Sequence, residues 1–492
     1  MNTTRSPRIV ITAVSCIGVL LFSGFVTWTS PLAQAATVVG CPTTKAALHT
    51  DIASAGNGGT VKLSCPSATS ITFPTPVTIT RNVTLDASGS PRAITLSGHG
   101  KTHLFNVSAG DKFTVNSLIL SQGHVSAGHT NDGKGGAIYN HKSDLTVTDS
   151  TFSGNSGAQG GAIYNNGGSL NITNSTFSRN SARFFGGAIG NNGGTLTVDD
   201  STFSRNSGAQ GGAIGNNGGT LTVAHSMFSR NSGAQGGAIY NLDSIAVVTD
   251  SEFSKNSGQD SGGAIENGNG TLTVAGNTFS ANSVQGFGGA IESVGNSSLT
   301  VAGSTFSANS ASGHRGGAIC LRGGTLTVTN STFSGNSADQ GGALWSLDTS
   351  LNIADSTFSG NLATTAGGAI FNSLGKATVT ASIISDSTSG GNCQGSGITD
   401  GGYNLTDSDG NCGLSGLTDI RNTDPQVEPL AHNGGPTQTM ALNPASPAID
   451  KIPVSSGDCP KTDQRGVSRL DNSESACDIG AYEYVDTVQH AW

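Results

Sequence analysis

A four-residue sequence, Gly-Gly-Ala followed by Ile or Leu, recurs ten times between residues 135 and 370. Phe-Ser-x-Asn recurs nine times in the same region, with its phenylalanines 25 to 27 residues apart. A fixed period of this length is typical of a solenoid, in which each repeat is one supersecondary unit that stacks on its neighbours. Because a solenoid grows in one direction, the 492 residues need not share the single core that limits the size of a globular domain.

Each repeat has the pattern of short strands separated by turns. In residues 211–231, Thr-Leu-Thr-Val alternates polar and apolar residues, as in a strand with one buried face. Gly-Gly-Ala-Ile and Ser-Met-Phe-Ser also have strand character, whereas Asn-Asn-Gly-Gly and Asn-Ser-Gly-Ala favour turns. With three strands per coil and no sustained helical periodicity, the repeats predict an all-β chain folded as a right-handed parallel β-helix.

Equivalent residues of successive coils should stack about 4.8 Å apart, the spacing of neighbouring strands. The sequence can therefore be read in columns. The Phe column (Phe152 to Phe358) and the Ile/Leu column (Ile138 to Ile370) are predicted to form the core. A third column contains only Asn, from Asn155 to Asn361, and its amides are expected to hydrogen-bond from coil to coil.

Two further columns are expected to face solvent. By alternation, the residue after the buried Ile should point outward, and this column contains Tyr139, Tyr164, Gly190, Gly215, Tyr240, Glu266, Glu292, Cys320, Trp345 and Phe371. The residue before the ladder Asn is basic in four successive coils, at Arg179, Arg205, Arg230 and Lys255, which we call the basic stripe. Cations repeated every ~4.8 Å suit an anionic polymer such as a glycan or a teichoic acid, although a charged edge also discourages lateral strand pairing.

Composition and the N-terminal residues indicate an exported protein. Arg5 and Arg8 precede an apolar run, and a small-x-small sequence ends at Ala35, so residues 1–35 are predicted to be a signal peptide. Without the leader, 21 basic and 32 acidic residues remain, a net charge of 21 − 32 = −11 against −9 for the whole chain. This balance argues against nucleic acid as a partner, and no segment after the leader is apolar enough to span a bilayer.

Cysteine usage agrees with an oxidising compartment. Six of the cysteines after the leader form local pairs near the two ends of the chain, Cys41 with Cys65, Cys393 with Cys412, and Cys459 with Cys477. Disulfides at these pairs would stabilise terminal coils that have a neighbour on one side only. Their connectivity rests on proximity in the sequence alone, and Cys320 is left unpaired within the repeats.

The repeat motifs resemble those of the chlamydial polymorphic outer membrane proteins. Gly-Gly-Ala-Ile and Phe-x-x-Asn recur nearly intact over residues 135–371, about half of the chain. The resemblance implies a surface-exposed β-helix, and several members of that family are adhesins. Residues after 390 do not show the successive alternating strands of the membrane β-barrel in which those proteins end.

The C-terminal region instead resembles a bacterial surface-protein module, the choice-of-anchor Q domain. The motifs that carry this resemblance are residues 433–439 (Asn-Gly-Gly-Pro-Thr-Gln-Thr), 446–450 (Ser-Pro-Ala-Ile-Asp), 463–466 (Asp-Gln-Arg-Gly) and 478–483 (Asp-Ile-Gly-Ala-Tyr-Glu). Residues 485–492 contain neither a hydrophobic tail nor a sortase-type motif, which favours free secretion or non-covalent retention at the surface. The predicted domains are a signal peptide (1–35), a cap with the first coils (36–130), the repeats (131–390) and this module (391–492).

An enzyme is the alternative interpretation, because the related pectin-lyase-like β-helices include many polysaccharide lyases and hydrolases. Glu266 and Glu292 lie in adjacent coils and would be the ligands of a calcium ion, the one cofactor considered, with Asp260 as a third oxygen ligand. A hydrolase would need paired carboxylates, for which Asp199-Asp200 is the only doublet found. Active sites usually lie on long loops over a rigid scaffold, whereas these coils vary little in length. We therefore expect a non-enzymatic, secreted or cell-surface protein that binds a glycan or another envelope polymer through the basic stripe, or that has a structural role in the envelope.

Overall fold

The structure is a computed structural model that describes residues 35–125, 133–408, 412–470 and 475–485. All of the described residues belong to one compact unit, Ala33–Trp492. The predicted signal peptide therefore lies outside the described residues, apart from residue 35.

The described residues fold as a right-handed parallel β-helix, as the repeats predict. Three sheets run along it, which we name sheet A (26 strands), sheet B (14 strands) and sheet C (9 strands). Successive coils pair in parallel, and in sheets A and B the repeats pair in register, so that Phe203 lies beside Phe228 and Leu196 beside Leu221. This register places like side chains of neighbouring repeats next to each other, whereas several pairs in sheet C have register shifts.

Sheet A receives two strands from each regular coil, joined by a bend. The first strand of each coil is Val77–Ile79, Phe105–Val107, Ile138–His141, Ile163–Asn166, Ile189–Asn192, Ile214–Asn217, Ile239–Leu242, Ile265–Gly268, Ile291–Val294, Ile319–Arg322 or Cys393–Gly395. The second is Thr37–Gly40, Gly59–Leu63, Val83–Asp86, Lys112–Asn116, Asp144–Thr148, Ser169–Thr173, Thr195–Asp199, Thr220–Ala224, Ile245–Thr249, Thr271–Ala275, Ser298–Ala302, Thr325–Thr329 or Ile398–Asp400. In two coils the pair is continuous, as Leu344–Ala354 and Ile370–Thr380.

Sheets B and C receive one strand per coil. Those of sheet B are Thr69–Thr72, Ile94–Ser97, Ile119–Ser121, Thr151–Ser153, Thr176–Ser178, Thr202–Ser204, Met227–Ser229, Glu252–Ser254, Thr278–Ser280, Thr305–Ser307, Thr332–Ser334, Thr357–Ser359, Ile383–Ser385 and Leu405–Thr406. Those of sheet C are Ser156–Gln159, Ser181–Phe185, Ser207–Gln210, Ser232–Gln235, Ser257–Ser261, Ser283–Val284, Ser310–Arg315, Ser337–Gln340 and Leu362–Ala366.

Each regular coil contributes strands to three sheets, which agrees with the predicted fold class, and its sheet A part is divided by a bend into two short strands. The sequence did not predict the strand in sheet C, where Asn-Ser-Gly-Ala was expected to turn. This stretch has no apolar alternation, and it is extended because its backbone pairs with the next coil, Ser207 with Ser232 and Gln210 with Gln235. Gly-Gly-Ala is a bend, and the strand begins at the following residue, as at Ile214.

The predicted core columns are confirmed. Phenylalanines 152 to 358 of the repeat are fully buried, and adjacent rings stack with centroids 4.5 to 4.9 Å apart and interplanar angles of 1° to 8°. The Ile/Leu column is likewise 0% exposed from Ile138 to Ile370. The interior of the repeats is therefore a stack of identical apolar layers, which buries aromatic on aromatic and aliphatic on aliphatic.

The predicted Asn ladder is also present. Asn206 donates from Nδ2 to Oδ1 of Asn231 at 3.0 Å, and Asn231 donates in the same way to Asn256 at 3.0 Å. A second buried ladder, which the sequence analysis missed, runs along sheet A through Asn191, Asn216 and their equivalents, with Nδ2 to Oδ1 distances of 2.7 to 2.8 Å. Both ladders satisfy buried backbone groups at bends, where the strands themselves cannot.

Helix Lys45–Ala55 precedes the first coils, and its apolar side is part of the core. Thr44 is its N-cap and accepts from the Ala47 backbone at 3.2 Å, while Leu48 and Ile52 face the core. The two remaining short elements of the described chain are a 3₁₀ turn at Val454–Ser456 and an antiparallel pair, Ile452–Pro453 with Ala476–Cys477.

Three disulfides join the predicted cysteine pairs: Cys41–Cys65, Cys393–Cys412 and Cys459–Cys477. The first closes the capped end and the second the last coils, each where one side of the stack lacks a neighbour. Cys320 is free and buried.

The C-terminal segment packs against the outer face of sheet B. Gln464 donates to Thr305 Oγ1 at 2.9 Å and accepts from Thr332 Oγ1 at 2.6 Å. The Ala481 backbone donates to Thr357 Oγ1 at 3.0 Å. Gln464 and Ala481 belong to two of the C-terminal motifs, so these motifs hold the segment onto coils that lie 124 to 159 residues earlier in the chain.

Among the described residues, no helix has the length and apolar character needed to cross a membrane.

Candidate functional site

The basic stripe lies at the turn that leads from sheet B into sheet C. Its four residues are exposed and have left-handed backbone, with φ between 53° and 56°. Each backbone N–H donates to a serine carbonyl of the next coil, as from Arg205 to Ser229 at 3.1 Å and from Arg230 to Ser254 at 3.1 Å. The backbone of the stripe is therefore held in register. None of the four side chains forms an ion pair with another described residue.

Beside the stripe, an open groove of about 720 Å³ runs along sheet C across successive coils. Small and amide side chains form its floor and walls: Ala182, Ser207, Gly208, Ala209, Ser232, Gly233, Ala234, Ser257, Gly258, Gln259, Ser283, Val284, Gln285 and Ser312. We call this feature the groove. None of its lining residues is charged.

The stripe forms one edge of the groove. Arg205, Arg230 and Lys255 each lie two residues before a groove-lining serine, with a buried ladder Asn between them. Small residues line the floor: a Cβ on Gly208 would lie 2.7 Å from the carbonyl oxygen of Gly211, although Ala182 and Val284 are found at equivalent positions of other coils. The cations thus border a shallow, polar and sterically open surface.

Gln210 and Gln235 end two of the sheet C strands that contribute to the groove. Gln210 donates to Gln235 Oε1 at 3.1 Å and to the Tyr240 hydroxyl at 3.4 Å. Burial raises the pKa of Tyr240 to about 12, so this hydroxyl remains neutral and is available as a hydrogen-bond donor. Near the first coil of the groove, Phe184 is 47% exposed, with the Arg183 guanidinium 4.8 Å from its ring centroid.

The expectation that the column after Ile faces solvent is wrong. Tyr164 and Tyr240 are 5% exposed and Trp345 is 1% exposed, because the sheet C segments cover them. Phe185 reaches across from sheet C, and a Cβ on Gly215 would lie 2.5 Å from its ring. Gly190 and Gly215 therefore occupy this column because they leave room for Phe185.

The sheet C segments also bury the two carboxylates that were expected to bind calcium. Glu266 and Glu292 lie side by side in register and are 5% and 0% exposed, whereas Asp260 is exposed on sheet C. Ser261 hydrogen-bonds Glu266, and Arg322 forms an ion pair with Glu292.

Burial also changes the ionisation of this pair. It raises the pKa of Glu266, and it raises the pKa of Glu292 to about 7 even though Arg322 opposes the shift. Two such carboxyl groups hold protons more readily than ordinary ones do, which weakens them as calcium ligands at neutral pH.

The aspartate doublet lies away from this pair, on sheet A. Asp199 Oδ1 lies 2.9 Å from Nδ1 of His225 in the next coil, and Asp200 has an exposed carboxylate near both. The hydrogen bond with Asp199 raises the pKa of His225. The structure thus pairs the doublet with a histidine that the sequence analysis did not connect to it; stacking of successive turns is the signal that would have placed them together.

Comparisons with known proteins agree with the fold. Residues 135–306 match a family described as the right-handed β-helix region, and residues 330–347 and 355–373 match the repeat of the Chlamydia polymorphic membrane proteins. No curated protein matches the chain.

Two solved structures are similar at low identity. One is the catalytic unit of a thermostable GH87 α-1,3-glucanase from Streptomyces thermodiastaticus, at 15% identity and a TM-score of 0.44, covering 75% of this chain and 68% of the other. The second is a PL6 alginate lyase, at 11% identity and a TM-score of 0.40, covering 92% of this chain and 59% of the other. The family matches and the described coils together show that the chain is a right-handed parallel β-helix protein that carries repeats of the polymorphic membrane protein type.

Proposed function

We propose that this protein is a non-enzymatic, secreted or surface-exposed β-helix that binds an anionic glycan along the groove. The observation that carries the proposal is the placement of exposed cations in four successive coils, three of which lie two residues before serines that line an open polar surface. Neither feature alone would indicate a polymer. Together they provide a repeated charge and a continuous surface with the same period, which is what a regular anionic chain requires.

The chemistry of the groove fits sugars. Serine hydroxyls and glutamine amides donate and accept hydrogen bonds in a way that suits sugar hydroxyls. The exposed ring of Phe184 offers an apolar face for a sugar ring near the first coil. The whole chain is acidic, with a net charge of −9, so attraction of an anion depends on the local stripe and should weaken with salt.

Export is supported by the repeats and the disulfides. The matched repeats are named for a membrane protein of Chlamydia, and three disulfides are typical of proteins outside the reducing cytosol. An extracellular location would also place the groove where envelope glycans are present.

The test replaces Arg179, Arg205, Arg230 and Lys255 by serine and measures binding to polygalacturonate, alginate and a neutral glucan by calorimetry over a salt series. The matched control removes four exposed lysines away from the groove, Lys62, Lys101, Lys376 and Lys451. The wild type and the control should bind a polyuronate, more weakly as salt rises, and the stripe variant should lose this binding. Equal affinity in the stripe variant and the wild type would overturn the proposal.

A second candidate, a polysaccharide lyase or hydrolase, is favoured by one observation. Glu266 and Glu292 are adjacent carboxyls with raised pKa values, as a general acid requires. Incubation with the same polymers, with and without calcium, and mass spectrometry of the products tests this candidate. Shortened products that disappear in Glu292→Gln would establish an enzyme and replace the non-enzymatic proposal.

A further inference from the structure

A second pocket, of about 350 Å³, lies next to the end of the groove. Its lining residues are Phe287, Gly313, His314, Arg315, Asp339, Gln340 and Thr365. The groove ends at Ser312, and the second pocket begins with the next residue in the chain. We call this second pocket the end pocket.

The end pocket exists because the local coils depart from the regular length. Strand Ser310–Arg315 has six residues where Ser207–Gln210 has four. The additional residues include Gly313, whose φ of 75° permits the chain to bulge. In the coil before, the strand shortens to Ser283–Val284, and Phe287 follows it.

The arginine of the end pocket is held in place by an aromatic ring. The Arg315 guanidinium lies 4.6 Å from the ring centroid of Trp345, which is 1% exposed. A guanidinium stacked in this way keeps its planar fork of donors free for a partner in the plane and loses little side-chain entropy when it binds. Arg315 itself is exposed.

The other groups supply what one sugar residue needs. His314 packs edge-on against Phe287, with ring centroids 5.2 Å apart, and Gln340 pairs in register with Arg315. Asp339 is the acidic residue of the lining, and its Oδ1 accepts from the Thr364 hydroxyl at 2.9 Å. The pocket therefore combines a fixed cation, a second nitrogen donor, an amide, an aromatic ring and one carboxylate, that of Asp339.

We propose that the end pocket binds a single uronate residue, with its carboxylate on Arg315 and His314 and its ring beside Phe287, over which the Arg322 guanidinium also stacks, 4.7 Å from the ring centroid. Arginine binds carboxylates through two parallel hydrogen bonds, which a neutral sugar cannot accept. This inference deepens the proposed function, since the same polyuronate would occupy the groove and end here. The end pocket has its own cation, however, and should bind a short uronate without the basic stripe.

The test measures binding of trigalacturonate and of neutral maltotriose to the full chain by calorimetry and saturation-transfer NMR. Arg315→Gln and, separately, His314→Ala are the pocket variants, and thermal unfolding checks that each remains folded. Arg92→Gln is the matched control, because Arg92 is an exposed arginine that lines neither the groove nor the end pocket.

We expect trigalacturonate, and not maltotriose, to bind the wild type, the control and the four-residue stripe variant alike. Arg315→Gln should weaken this binding about tenfold or more, the loss expected for a charged hydrogen-bonded partner, and His314→Ala should also weaken it. Absence of trigalacturonate binding to the wild type, or equal binding by both folded pocket variants, would overturn the inference. If the inference is overturned in this way but the stripe variant still loses polymer binding, the groove proposal stands alone. If trigalacturonate binds but no polymer does, only the inference about the end pocket stands.

Discussion

At the scale of single residues, burial decides the protonation of Glu292. Its side chain is 0% exposed, beside Glu266 and paired with Arg322. Removal from water disfavours the ionised form more than the arginine favours it, so the pKa of Glu292 rises to about 7. Glu292 therefore lies in a column that was predicted to face solvent, but it is a buried carboxyl group with a raised pKa.

Glu292 should make the protein more stable in mild acid than in mild base. Its folded-state pKa of about 7 lies above the ordinary value of 4.5, so the folded state holds a proton that the unfolded state has lost between these values. This contribution is present in full below about pH 4.5, decreases as the pH rises, and is lost above about pH 7. Burial raises the pKa of Asp355 and of Asp478 to about 6, which acts in the same direction.

The measurement is thermal unfolding at pH 5 and pH 8. The wild type should have the higher Tm at pH 5. Glu292→Gln should reduce the difference in stability between the two pH values, by up to about 3 kcal/mol when it is expressed as the free energy of unfolding. Asp260→Asn, an exposed neighbour, should leave the difference unchanged. A difference that is equally large in Glu292→Gln would contradict the assignment of the pH dependence to this residue.

At the scale of elements, the turns between short strands depend on buried amide ladders. Asn231 Oδ1 accepts from the backbone and the side chain of Asn206, both at 3.0 Å. Its Nδ2 donates to the Phe203 carbonyl at 3.0 Å and to Asn256 at 3.0 Å. One side chain thus joins three coils, at a bend where strand pairing alone leaves backbone groups without partners.

Asn231→Ala should destabilise the protein by about 2–5 kcal/mol, because several buried donors and acceptors lose their partners at once. Asn217→Ala is the control in the same coil; Asn217 is only partly buried and donates to Asn192 at 3.2 Å. Asn217→Ala should lower the free energy of unfolding by less than about 1 kcal/mol. Urea unfolding of the two variants measures both values, and equal losses would show that burial of the ladder is not what makes it stabilising.

At the scale of the whole molecule, the last segment of the chain covers sheet B of coils formed much earlier. Gln464 is buried at this contact, where it bonds Thr305, Thr332 and Thr437. Arg469 and Glu483 form a fully buried ion pair 3.2 Å apart in the same segment. A buried ion pair requires an ordered surrounding structure, which the sheet B surface supplies.

Gln464→Ala should loosen this segment without affecting the distant coils. Hydrogen exchange should become faster in residues 433–440 and 463–470, while residues 135–240 should keep their protection, because each coil contacts only its neighbours. Gln438→Ala is the control, since the Gln438 backbone carbonyl, and not its side chain, accepts from Gln464. Unchanged exchange in Gln464→Ala would show that other contacts hold the segment.

The sequence by itself determined the coil period, the core columns and the Asn ladder. All of these are repeated in every coil, and in a parallel stack the neighbour of a residue is its own equivalent one period away, as Phe203 is of Phe228. Local spacing was sufficient for the cysteine pairs for a similar reason, because Cys41 and Cys65 lie about one coil apart. It also predicted that the basic stripe is exposed.

Only the tertiary structure decided what lies next to each column around the coil. Sheet C forms from a stretch without apolar alternation, so nothing in the pattern of Ser207–Gln210 indicated that it would be extended. This strand buries the column of Glu266 and Glu292, creates the groove beside the basic stripe, and opens the end pocket where its length changes at Ser310–Arg315. The physical reason is that sheet C is held by backbone pairing between coils, which the side-chain pattern of a single repeat does not record.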